Sequence, residues 1–94
     1  MRKYELLYII PSDVPEAEIN GVIGTIQGWI EAVKGKVEET NNWGRRQLAY
    51  QIGTFREGTY IFAKLDMPAE GLYELEREMR LSTQVLRHMI IRLD

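Results

Sequence analysis

Hydrophobic side chains follow two rhythms along this chain, and the switches between them mark out six elements. Residues 3–10, Lys3-Tyr4-Glu5-Leu6-Leu7-Tyr8-Ile9-Ile10, are rich in aromatic and β-branched side chains, as a strand is. Nearly every position is apolar, which suits an inner strand covered on both faces. Pro11 ends the run. Asp13 stands three residues before Glu16, the spacing of a capping box, with Pro15 in the first turn. Ile19, Val22, Ile23, Ile26, Ile30 and Val33 then recur in helical steps, with Trp29 at the margin of their stripe. Lys34-Gly35 is a stop signal. Gly21, Gly24 and Gly28 fall on the opposite stripe, where each exposed glycine costs about 1 kcal/mol relative to alanine. They mark either a surface that a backbone or phosphate approaches closely, or drift in a helix held by its other face.

Residues 36–52 read as a long strand with an irregularity near Asn41-Asn42-Trp43-Gly44, because glycine inside a strand often marks a bulge. Residues 53–58 supply the turn. Residues 59–67 alternate, with Ile61, Ala63, Leu65 and Met67 on one side and Tyr60, Phe62, Lys64 and Asp66 on the other. Pro68 opens a second helix whose buried stripe is Leu72, Leu75 and Met79. Glu76 and Arg80 make a favourable i, i+4 pair on it. Ser82-Thr83 break the helix, and residues 85–93 form the last strand. The order strand, helix, strand, strand, helix, strand predicts an α+β domain of ferredoxin-like βαββαβ topology. Its four-stranded antiparallel sheet has the first and third strands at the centre and both helices on one face. Repeats, linkers and low-complexity tracts are absent, so residues 1–94 make one domain.

Composition narrows the chemistry. The chain has 94 residues, 45% hydrophobic and 28% charged, an ordinary balance for a soluble domain. It has no cysteine, which excludes disulfides, thiolate metal sites and a cysteine nucleophile and suits a reducing compartment. No apolar run approaches the ~20 residues of a membrane span, and the N-terminus enters a strand at once without the shape of a signal peptide. A cytoplasmic protein is expected. The net charge of −2 argues against a simple nucleic-acid binder, yet its distribution is uneven. Residues 11–34 carry Asp13, Glu16, Glu18 and Glu31 against Lys34, and residues 68–81 carry four glutamates against Arg77 and Arg80. The acid sits in the two helical segments, and the other three segments are each slightly basic.

If the helices cover one face, the other holds Glu5, Leu7 and Ile9 from the first strand, Tyr60, Phe62 and Lys64 from the third, and Arg87, Met89 and Ile91 from the last. Aromatics on a central strand beside arginine and lysine suit base stacking and phosphate contact. They suit packing against a protein equally well, and an apolar face of this size calls for some partner. His88, the one histidine, points with Ile90 toward the helices and reads as a half-buried structural residue. It has no second histidine or acid cluster with which to hold a metal. Glu38-Glu39 and the Glu74, Glu76, Glu78 set read as solvated faces, and Ser12, Ser82 and Thr83 as turn or cap residues.

One stretch carries a resemblance: Gly44-Arg45-Arg46-Gln47-Leu48-Ala49-Tyr50-Gln51-Ile52. Gly44, Arg46, Gln47, Leu48, Ala49, Tyr50 and Ile52 fit the signature of a bacterial small-subunit ribosomal protein of the S-six family. Further blocks agree in order. Arg2, Tyr4 and Glu5 resemble the family's start, Gly58, Tyr60, Ile61 and Phe62 its third strand, Met67-Pro68 its second-helix entry, and Arg80, Val85 and Arg87 the approach to its last strand. Gln51 stands where proline is frequent and Gly53 where a basic or small polar residue is favoured, and the chain stops at Asp94 without the tail many members carry.

The resemblance implies a structural protein with no catalytic role, cofactor or metal. It implies binding to the central domain of small-subunit rRNA together with the ribosomal protein of the S-eighteen family. Carried onto this chain, the RNA-facing candidates are Arg2, Lys3, Tyr4, Arg80, Arg87 and Arg92, joined by Tyr60, Phe62 and Lys64 of the open face. Trp43, Arg45 and Arg46 are candidates for either RNA or the partner protein. Two rivals are a ferredoxin-like acylphosphatase and a free-standing RNA-recognition module. The first needs an anion-cradling loop after the first strand, where Pro11-Ser12-Asp13 is acidic and lacks glycine. The second needs a third-strand motif that residues 56–62 match only in part.

Overall fold

A computed structural model describes residues 1–94. Its elements are β1 (Arg2–Pro11), α1 (Ile19–Ala32), β2 (Lys36–Ile52), β3 (Phe55–Met67), α2 (Leu72–Leu81) and β4 (Arg87–Arg92). They form one antiparallel sheet in the order β2-β3-β1-β4, with both helices on one face, which is the ferredoxin-like arrangement the pattern predicts. Period-2 alternation on β1 and β3 meets period-3.6 stripes on the helices. Tyr4, Leu6, Tyr8 and Ile10 join Ile61, Ala63, Leu65 and Met67 from the sheet, against Ile19, Val22, Ile26 and Ile30 of α1 and Leu75 and Met79 of α2. All are buried in one cluster.

Several boundaries differ from the sequence pattern. Neither helix begins on a side-chain cap. Each is led in by an extended proline and one 3₁₀ turn, Glu16–Glu18 after Pro15 and Ala69–Gly71 after Pro68. The Glu18 and Gly71 amides donate to the Pro15 and Pro68 carbonyls at 2.9 Å. Asp13 sits in a preceding turn that buries Val14. β3 starts at Phe55, because the β2–β3 connection is only Gly53-Thr54, with Gly53 at φ +58°. Arg77 pairs with Glu74 at 3.6 Å and Glu78 at 3.9 Å, where the pattern suggested Glu76 with Arg80. β1 is central, but its odd-numbered side is closed only toward its end, at Ile9 and Pro11; Glu5 and Leu7 stay half-open because both helices lie across the other face. The Gly21, Gly24 and Gly28 stripe faces open space.

Two junctions fix how the layers meet. At the end of α1 the Gly35 amide donates to the Ile30 carbonyl and the Lys34 amide to that of Glu31, both at 2.9 Å. This is a Schellman closure with Lys34 in the left-handed region at φ 66°. Lys34→Gly removes the Cβ cost of that conformation and should raise stability by about 0.5–1 kcal/mol in a denaturant titration. Where β3 crosses β1, a Cβ on Gly58 would collide with the Ile9 Cγ2 and lie 3.0 Å from the Ile10 carbonyl oxygen. Gly58→Ala should therefore cost about 1–3 kcal/mol by the same measurement.

Candidate nucleic-acid interface

The register of β3, β1 and β4 lays out the open face in rows. Ile91, Glu5 and Lys64 form one row, Met89, Leu7 and Phe62 the next, and Arg87, Ile9 and Tyr60 the third. These are the residues the alternation assigns to it. β2 then adds two features. A bulge between Asn42 and Gly44 lifts Trp43 out of the ladder. Gly44 makes this possible at φ +86°, with its amide donating to the Asn42 Oδ1 at 2.7 Å. Trp43 stacks on Phe62 with ring centroids 5.4 Å apart and planes 9° from parallel. The Arg46 guanidinium covers Trp43 at 5.6 Å from the ring centroid, and its Nε donates to the Trp43 carbonyl at 3.3 Å. The result is a Phe62–Trp43–Arg46 pile of two aromatic rings and one cation.

The second feature is the far end of the β2–β3 hairpin. β1 is matched to β3 only as far as Pro11 opposite Gly58, and the hairpin runs on beyond that point. Its own ladder breaks between the Gln47–Glu57 and Ile52–Phe55 pairs. Past that break Leu48, Tyr50 and Ile52 line, with Leu7, Ile9, Tyr60 and Met89, an open apolar cavity of about 310 Å³. Arg87 closes one side, its guanidinium 5.5 Å from the Tyr50 ring centroid. Leu48, Tyr50 and Ile52 as cavity walls are the part that reading by alternation missed. The signal available was the alternation of Leu48, Tyr50 and Ile52 just ahead of Gly53.

The chain matches the family model described as Ribosomal protein S6 over residues 3–92. It belongs to the ribosomal protein S6 family. Similar curated relatives are the small ribosomal subunit protein bS6 of Alkaliphilus oremlandii, 42% identical with 100% of this chain and 99% of the relative covered, and that of Desulforudis audaxviator, 39% identical over 100% of both. The crystal structure of 30S ribosomal protein S6 from Thermotoga maritima superposes with a TM-score of 0.91 at 32% identity, covering 98% of this chain and 87% of that one. The C-terminal domain of MgtC from Mycobacterium tuberculosis also superposes, with a TM-score of 0.66 at 17% identity over 99% of this chain and 88% of that one, and shows the fold alone.

The family's candidate residues divide between two sides of the sheet. Lys3, Tyr60, Phe62, Lys64 and Arg87 lie on the open face, with Trp43 and Arg46 stacked above it. Arg2 and Arg92 lie on the helix side, level with core residues Met67 and Tyr4, and Arg80 stands at the end of α2 near His88. These arginines flank the β4 edge from both sides, over about 17 Å of strand. Tyr4 is a correction. Its side chain is buried in the core at 2% exposure, so it supports the sheet from within and offers nothing to RNA. Arg45, exposed on the other side of β2, donates to the Ser12 carbonyl at 3.1 Å and lies 4.0 Å from Glu57, so it ties the turn after β1 to β2. Arg92 is partly engaged, its Nε donating to the Asp94 carbonyl at 2.9 Å. His88 faces the helices as the alternation predicts; burial holds it below its ordinary pKa, with Glu76 raising and Arg80 lowering it.

Lys3 is committed to carboxylates, 3.0 Å from Asp66 and 3.5 Å from Glu38. Donating a hydrogen bond to Asp66 raises the pKa of Lys3, and hydrogen bonding with Glu38 and then with Lys3 lowers that of Asp66. A carboxyl group lowered by folding stabilises the fold above its unfolded pKa and loses that contribution as pH falls through the folded one. Lys3→Met should therefore move the Asp66 titration, followed by NMR, back up toward the ordinary carboxylate range. It should also shrink the acid-side loss of stability, because the folded and unfolded titrations then lie closer together, and only slightly, because the exposed pair is screened by solvent and salt.

Proposed function

We propose that the chain acts in translation as a structural constituent of the small ribosomal subunit, in the cytoplasm, and that it binds the central domain of small-subunit rRNA together with the S-eighteen ribosomal protein. Membership of the S6 family over residues 3–92 carries this reading. Geometry supports a division of labour. The open face, with its cavity and exposed Met89 and Ile91, is apolar enough to need a protein against it. The β4 edge, flanked by Arg2, Arg80, Arg87 and Arg92, presents guanidinium forks suited to phosphate. The acid is concentrated in the two helical segments, with Glu76 of α2 beside His88 of β4, and the net charge of −2 leaves most of the positive field to be supplied by the partner.

Two features weigh against a free-standing RNA-recognition module. Phe62 is covered by Trp43, and Tyr60 lies beneath the hairpin, so neither central-strand ring offers a bare platform for a base. Both rings serve the protein-facing surface.

The test is a titration of a central-domain rRNA fragment with and without the S-eighteen protein at several salt concentrations. Tight, salt-dependent binding only with the partner is expected. No binding in either case overturns the reading. Arg87→Ala should weaken binding and lower the salt slope by about one phosphate contact, and an unchanged slope removes Arg87 from the interface.

A further inference from the structure

Tyr50 stands out among the exposed side chains. It is 61% accessible, sits where the hairpin ladder is broken, and yet makes a defined contact with Arg87 at 5.5 Å across from β4. Both residues wall the same cavity. Two elements distant in sequence therefore meet through a single cation–π stack, with empty apolar space beneath it.

We propose that Tyr50 is a positioning residue that holds the Arg87 guanidinium ready for phosphate and thereby couples the protein-binding cavity to the RNA-binding edge. The inference rests on the reading of Arg87 as an RNA contact. A guanidinium stacks through its flat face, while its N–H donors lie in its plane. Contact with the Tyr50 ring thus restrains a long, flexible side chain, and contact through the flat face would leave its donor edge free. Tyr50 in turn is held only as well as the hairpin is held. Leu48 and Ile52 approach Leu7, Ile9, Tyr60 and Met89 around a cavity of about 310 Å³ that leaves them without full contact. An apolar side chain of the protein partner entering that cavity adds the missing contacts, fixes the hairpin and with it the ring that orients Arg87. Protein docking and RNA binding then reinforce each other through one residue pair.

The experiment is a double-mutant cycle on affinity for a central-domain rRNA fragment, measured with the S-eighteen protein present. Y50L keeps an apolar side chain but removes the aromatic face, and Y50F keeps the face. Y50L should weaken RNA binding about two- to five-fold, the scale of an exposed cation–π contact, with circular dichroism showing the fold unchanged. Y50F should restore the affinity. In an R87A background Y50L should have no further effect, because the group it positions is gone. Equal affinity of Y50L and the unsubstituted chain, or a Y50L loss of the same size in the R87A background, overturns the inference while leaving Arg87 in the interface. An R87A variant that binds as the unsubstituted chain does overturns the reading of Arg87 itself and the inference with it.

Discussion

β1 pairs with β3 on one side and β4 on the other, and a single register governs both ladders. Leu7 stands opposite Phe62 and Met89, and Leu6 opposite Ala63 and Ile90. Side chains alternate across a strand, so a slip of one residue would exchange Tyr4, Leu6, Tyr8 and Ile10 for Glu5, Leu7 and Ile9 against the helices. Glu5 would then be buried without a partner, and four large apolar residues would face outward. The register is enforced from both directions: by the helix stripes that need the even-numbered set, and by Gly58, whose missing Cβ is what lets β3 approach Ile9 and Ile10. Core and interface are two sides of one constraint.

Above that frame, the signature stretch does several separate jobs at closely spaced positions. Gly44 takes the bulge, Arg45 anchors the turn after β1, Arg46 caps Trp43, and Leu48, Tyr50 and Ile52 roof the cavity. Two adjacent arginines thus go opposite ways, since neighbouring strand residues point to opposite faces. Arg45 bonds to the turn after β1, and Arg46 lies over Trp43. The outer contacts are individually weak: stacked aromatics add about 0.5–1.5 kcal/mol beyond their area, and exposed cation–π pairs about 0.5–1 kcal/mol. They shape the face more than they hold the fold, which the buried cluster does.

The likeness to the MgtC domain at 17% identity shows how little the architecture says by itself about what the face meets. The same sheet and helices can carry any open surface. On this chain the open surface carries the Trp43 bulge, the hairpin end beside Tyr60, and arginines along the β4 edge.

The sequence by itself determined the architecture, because strand and helix periods are local properties that survive without knowledge of neighbours. It placed the open face correctly at all nine positions from Glu5 to Ile91, and the signature blocks pointed to the family that the match over residues 3–92 establishes. Only the tertiary structure decided three things. Helix starts went to proline-led 3₁₀ turns, because Val14 was buried in the turn where a cap was expected. The near-complete burial of Tyr4 came from the helices packing over its end of β1, against the RNA-facing role that the resemblance implied. The far end of the hairpin came to lie against the sheet through a broken ladder and through contacts between residues some 40 positions apart, the cation–π contact of Tyr50 with Arg87 among them. Alternation within one strand carries no information about such distances.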